Sequence, residues 1–196
     1  MLLEMMEFTV VPFVVLEGKK IFSSFKGSLI TAKELAQNSE KDSMLYLLDL
    51  DGINNDRPNY ELYQVLAEWF SLWIDMGPRV SGDVVDDVFA GAERVTVRPE
   101  LFYNIDIDIV RQMTDCPVFQ YLEDESLAAL PHSEGFILPN TNDKGFKKDT
   151  LISQLSMNRP VFVILDDATE IGHLKDLGCS GVLVEWEKKE SFEGVA

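Results

Sequence analysis

Eight short β-rich apolar runs recur along the chain: EFTVVPFVVL (7–16), MLYLLDL (44–50), SLWIDM (71–76), RVTV (94–97), PVFQYL (117–122), GFILP (135–139), PVFVILD (160–166) and GVLVEW (181–186). Their starts are on average roughly 25 residues apart, and helical patterns of crossover length separate them. These patterns are TAKELAQNSE, YELYQVLAEWF, SGDVVDDVFAGA, NIDIDIVRQM, ESLAAL, KDTLISQLSM and ATEIGHLKDLG. Thr31 and Ser81 stand as candidate N-caps, and Gly91 and Gly178 as C-cap glycines. Strand then helix, repeated eight times, predicts a compact (β/α)8 TIM barrel in one domain spanning 1–196. Only about ten residues follow the last run, so a truncated final helix is expected. An open doubly wound sheet is the alternative, but its G-x-G-x-x-G fingerprint is absent.

A formal charge of −17 repels phosphate backbones and anionic lipid heads, which argues against nucleic-acid and membrane partners. The longest apolar stretches run to about eight residues and MLLEMMEF carries acids, so no transmembrane helix or secretory leader is expected and a cytoplasmic location is. Cys116 and Cys179 lack the spacing of a zinc site or a disulfide framework and read as buried thiols. His132 and His173 have no sequence partner that suggests catalysis and read as surface residues.

Active sites of such barrels lie at the C-terminal ends of the strands. The residues there are Glu17, Asp49 with Asp51, Asp75 with Arg79, Arg98 with Glu100, Gln120 with Glu123, Asn140 with Asp143, Asp166 with Asp167, and Glu185 with Trp186. The mouth is therefore crowded with carboxylates and relieved by two arginines. Asp49 and Asp51, two apart on one strand, either bridge to Arg79 or Arg98 or hold a ligand. DKGFKKD (143–149), with Lys144, Lys147 and Lys148 flanking Gly145, reads as a phosphate-binding loop or as a solvated face. Trp69 and Trp73 are expected in the core or between a helix and a strand.

YLLDLDGI, IDMGPR, AGAERVTVRPELF and LGCSGVLVEW, in this order, resemble stretches of the histidine-biosynthesis barrels, the phosphoribosylformimino-AICAR-phosphate isomerase HisA and the cyclase HisF. In that family the second strand ends in V-D-L-D-G-A, the third in G-G-G-I-R, the fourth in G-x-x-R-V-x-x-G-T and the seventh in S-G-G. The resemblance implies a barrel holding a bisphosphorylated ligand on glycine turns. This chain departs from that pattern: Asp75-Met76-Gly77-Pro78-Arg79 replaces the third-strand glycines, Arg98-Pro99 the fourth-strand G-T, Asp166-Asp167 the seventh-strand glycine pair, and Glu185-Trp186 the glycine after the eighth strand. A carboxylate about 4 Å from a phosphate oxygen costs on the order of 4 kcal/mol at an effective dielectric of 20. Val15 stands where the first-strand catalytic Asp belongs, and strand five offers Gln120. The chain is accordingly similar to an uncharacterised HisA/HisF-related branch that keeps Asp75 and PELF (99–102), recruited to another small-molecule task, of which one-carbon cofactor metabolism is one option.

The resulting expectation is a divergent HisA-like barrel, or a non-catalytic ligand- or partner-binding relative, and no working histidine-pathway isomerase. Asp49, Asp51, Asp75 and Asp166 are the candidate catalytic acids. Arg79, Arg98, Gln120, Asn140, Lys144, Asp167 and Glu185 are the candidate substrate contacts. Asp49, Asp51 and Asp75 are candidate ligands for Mg²⁺ or Mn²⁺. A homodimer is expected, because a missing eighth helix leaves the seam between the first and last strands apolar, with Met1 to Phe8 able to take part.

Overall fold

The computed structural model describes residues 8–101, 106–123, 130, 132–139 and 147–195. Eight parallel strands close into a barrel: β1 (Thr9–Glu17), β4 (Met44–Asp49), β5 (Ser71–Asp75), β6 (Ala92–Val97), β7 (Val118–Tyr121), β8 (Gly135–Leu138), β9 (Val161–Ile164) and β10 (Gly181–Glu185). Parallel pairing of β1 with β10, from Thr9↔Gly181 to Phe13↔Glu185, shuts the ring. This is the predicted (β/α)8 architecture, and each strand falls on one of the eight apolar runs. Helices α1 (Ala32–Gln37), α3 (Tyr60–Ala67), α4 (Ser81–Phe89), α5 (Ile107–Met113), α6 (Lys148–Leu155) and α7 (Ile171–Asp176) alternate with the strands. The pattern ESLAAL lies almost wholly outside the described residues.

Three elements were not anticipated. β1 outruns β10, and its free edge is taken by β2 (Lys20–Phe22) through a two-residue turn, with β3 (Leu29–Ile30) beyond it. Gly18 and Lys19 both have positive φ (58° and 60°), as a tight hairpin turn matching strand twist requires. The third is α2 (Leu50–Asn55), which begins immediately after Asp49. Asp51 is therefore a helical residue, and the expectation that it shares a strand face with Asp49 is corrected. Gly52 sits where an added Cβ would lie 2.6 Å from the Met76 carbonyl, so only glycine lets α2 start this close to β5.

The caps follow the sequence at Thr31, which forms a full capping box with Glu34. Ser81 is not an N-cap; Val80 holds that position, and the Ser81 hydroxyl accepts from the Asp106 N–H instead. Gly91 and Gly178 follow the C-caps of α4 and α7 with φ of 110° and 85°, as left-handed closures require.

Two layers of core result from strand alternation. Val11, Phe13, Val15, Tyr46, Leu48, Trp73, Phe119, Tyr121, Ile137, Phe162 and Leu183 form the barrel interior, where Trp73 packs on Phe119 at 4.4 Å and on Phe162 at 5.0 Å. The alternate residues, among them Leu45, Leu47, Ile74, Val95 and Val97, pack outward against the helices. Trp73 is fully buried as expected, whereas Trp69 is exposed and its core assignment is corrected. Cys116 and Cys179 are free and buried, and burial pushes their thiols up to about 12 and about 11. The short α8 (Lys189–Glu193) is the truncated last helix, and its Phe192 packs beside Val10, Val182 and Val184. The β1–β10 seam is thereby covered, which removes the reason given for a homodimer. Among the described residues no helix is long and apolar enough to cross a membrane.

Candidate functional site

Asp49, the last residue of β4, faces outward because Tyr46 and Leu48 occupy the inward positions of that strand. Its carboxylate is fully buried against α2 and α3. Oδ1 accepts from the N–H of Asp51 at 3.0 Å and of Gly52 at 3.1 Å, capping α2, and from Asn59 Nδ2 at 2.9 Å. Oδ2 accepts from the Asn59 N–H at 2.7 Å and from the Tyr63 hydroxyl. Burial first, and then the adjoining Asp49, holds the Tyr63 phenol above its ordinary value, so Tyr63 stays a donor. The expected bridge from Asp49 to Arg79 or Arg98 does not form. Neutral donors satisfy this carboxylate: three backbone amides, the Asn59 side chain and the Tyr63 hydroxyl take the place foreseen for arginine.

Asp75, inward on β5, is the acid that meets an arginine. Arg98, one residue past β6, donates Nε at 3.0 and 3.1 Å and Nη2 at 2.7 Å to its two oxygens, and Tyr46 adds its hydroxyl at 2.7 Å. The Arg98 guanidinium stacks 4.0 Å from the Tyr121 ring centroid, and its remaining Nη1 lies 3.7 Å from Glu123 and 4.0 Å from Glu100. Burial alone would lower the guanidinium, but Asp75 reverses that and holds it above the ordinary arginine value. Burial raises Tyr46, with Asp75 adding to the shift, and pushes the Tyr121 phenol up to about 12. Arg98 is thus saturated by acids of its own chain.

Arg79 is engaged by its own chain. Its guanidinium donates to the carbonyls of Gly77, Ile53 and Gly52 and pairs with Asp56 at 3.1 Å, while its backbone N–H is taken by Asp83 at 2.7 Å. The turn after β5, where the glycine pattern is lost, is therefore occupied by its own Arg79 side chain. Gln120 faces outward on β7, where Oε1 accepts from the Leu130 N–H at 2.6 Å, so its placement at the mouth is corrected. Asp166 is largely exposed and lies 3.7 Å from Lys188, which bonds Glu185 at 2.7 Å. Glu185 also accepts from the Phe25 N–H at 3.3 Å, so the segment after β2 lies over the end of β10. Asp167 faces solvent and caps the turn at 168–170, where the Thr169 N–H lowers its carboxyl. Asn140 and Lys144 lie outside the described residues. Lys148 is buried and pairs with Glu170 at 3.1 Å, so it belongs to no solvated face. His132 and His173 are exposed, paired with Asp108 and Asp149.

The four candidate acids accordingly do not converge: Asp49 is turned to α3, Asp75 to Arg98, and Asp166 to Lys188 on β10's side of the barrel. Among the described residues no group of three or more His, Cys, Asp or Glu could hold a metal ion, so Asp49, Asp51 and Asp75 do not form the expected Mg²⁺ or Mn²⁺ site.

Asp51 is half-buried and faces a cavity. It lines a pocket of about 820 Å³ at the C-terminal end of the barrel, between the β1–β2 turn and the α2–α3 connection. Gly18 and Lys19 form one wall, Asn55, Arg57 and Pro58 another, and Asn59 to Leu62 with Val65 the side along α3. Asn59 joins this pocket to the buried carboxylate: Nδ2 donates to both Asp49 Oδ1 and, at 3.0 Å, Asp51 Oδ2. Asn59 and Arg57 were missed by the sequence reading. Asn59 stands at the N-cap position of α3, but its side chain makes no cap hydrogen bond there and is free to bridge the two acids.

No protein-family model matches the chain, and no curated protein matches it at a significant level.

Proposed function

We propose that the chain is a divergent HisA-like barrel that binds, and acts on, a small molecule other than the bisphosphorylated isomerase substrate. The carrying observation is the pocket of about 820 Å³ beside Asp51, which has the size of small-molecule sites and lies at the strand ends where barrels of this class do their chemistry. Asp51 is held by Asn59, which is itself fixed by the fully buried Asp49, so one acid is presented in a preset orientation. Against the phosphate-handling role stand the filled turn at Arg79 and the neutralised Arg98.

A second reading, binding without turnover, is favoured by the state of the other acids. Asp49 and Asp75 are both fully buried and fully engaged, so neither of these acids is poised beside Asp51 for proton transfer. Self-association into a homodimer is a separate proposal that light scattering at micromolar concentration decides.

A thermal-shift screen of a metabolite library against the wild type and Asp51→Asn tests the main reading. Stabilisation by a metabolite that weakens in the variant supports it, and a silent library counts against it. Turnover of that metabolite then separates enzyme from binder.

A further inference from the structure

Lys19 and Arg57 line the pocket from two different loops, and neither has an ion-pair partner among the described residues. Their backbones are fixed, and their exposed side chains extend from those points. Lys19 occupies the second position of the tight β1–β2 turn at φ 60°, and the Arg57 N–H donates to the Asp51 carbonyl at 3.2 Å. In a chain with 34 acidic and 17 basic residues, these two cations give one cavity a pair of basic groups with which to meet an anion. The same cavity holds an unmet acceptor. Asn59 occupies Asp51 Oδ2 and leaves Oδ1 without a partner among the described residues. Glu61 adds a second acid to the lining, so the pocket's formal charges cancel. Tyr60, Leu62 and Val65 supply an aromatic and aliphatic side.

A neutral sum made of separated unpaired charges selects its ligand by elimination. A ligand with two anionic groups satisfies Lys19 and Arg57 but sets its second charge against Asp51 or Glu61. A simple amine satisfies Asp51 and leaves both cations bare. We propose that the pocket takes a zwitterionic small molecule with an apolar body, its anionic group between Lys19 and Arg57, its ammonium on Asp51, and its body along Tyr60, Leu62 and Val65. This rests on the reading that the pocket is the ligand seat.

Three indole compounds of one size separate the charges: tryptophan carries both, indole-3-propionate the anion alone, and tryptamine the cation alone. Titration calorimetry on the full chain is expected to rank tryptophan tightest. Asp51→Asn, which keeps an acceptor for Asn59, is expected to weaken tryptophan and tryptamine about tenfold and to spare indole-3-propionate. Arg57→Met is expected to weaken tryptophan and indole-3-propionate about tenfold and to spare tryptamine. Indole-3-propionate binding as tightly as tryptophan overturns the inference and leaves an anion pocket. Silence from all three compounds also overturns it. If the metabolite screen still finds an Asp51-dependent ligand in that case, the pocket survives as the ligand seat, and if that screen is silent too, both readings fall.

Discussion

Arg98 grips Asp75 through two of its nitrogens, Nε and Nη2, at 2.7 to 3.1 Å, with Asp75 fully buried and Arg98 nearly so. Two buried opposite charges hold each other in place without a large net gain, because desolvation offsets most of their attraction. Breaking the pair is a different matter. Arg98→Met is expected to cost about 3 to 5 kcal/mol, since it leaves Asp75 buried with only the Tyr46 hydroxyl. The double variant Arg98→Met/Asp75→Leu is expected to recover most of that loss. Urea denaturation of the three proteins checks this, and a double variant no better than the single one removes the pair as the cause.

Asp49 and Asp51 differ in burial and are expected to differ in consequence. Asp49→Asn takes away a carboxylate that accepts five hydrogen bonds in a fully buried position and is expected to destabilise by at least about 3 kcal/mol. Asp51→Asn keeps its single described side-chain bond, to Asn59, and is expected to change stability by less than about 1 kcal/mol. Chemical denaturation of both variants, run side by side, decides whether the pair is an architectural acid plus a ligand-facing one.

Asp87 on α4 is fully buried, and neither carboxylate oxygen has a hydrogen-bond partner among the described residues. Its neighbours are other acids and weak acids: Asp83 and Asp86 on α4, Asp49, Asp75, the Tyr60 and Tyr63 phenols, and Cys116. Burial, reinforced by Asp83 and Asp49, pushes the Asp87 carboxyl well above its ordinary value. An acid raised in the folded state binds its proton more tightly there than in the unfolded chain. Its contribution to stability is therefore complete below the unfolded value near 4 and is lost as pH rises from there through the folded value. Asp87→Asn is expected to raise the melting temperature at pH 7.5 by a few degrees and to flatten its decline between pH 5 and pH 8. A parallel decline in both proteins assigns the pH dependence to other groups.

Turnover of the bisphosphorylated isomerase substrate is expected to be unmeasurable. Arg79 fills the turn after β5, Arg98 is neutralised by Asp75, and the inward residue near the end of β1 is Val15. Complementation of a strain lacking HisA at normal expression overturns this.

The barrel was legible in the sequence because it follows from period alone. Eight apolar runs at regular spacing with amphipathic stretches between them leave few ways to bury both faces of a parallel sheet, and closure is one of them. The fate of individual acids was not legible, because it depends on which face of a strand each one takes. Leu45, Tyr46, Leu47 and Leu48 are all apolar and all buried, so MLYLLD carries no alternation from which to tell inside from outside. The phase is visible only in the barrel interior, where Tyr46 packs against Trp73, and it turns Asp49 out to Tyr63 while Asp75 turns in to Arg98. Asn59 and Arg57 were out of reach for a related reason. They take part in the pocket because α2 breaks off at Asp56, in a left-handed conformation, and returns the chain beside the β1–β2 turn. Local sequence determined the eight barrel strands and most of the helices between them; the contacts made between distant segments decided which side chains meet at the strand ends.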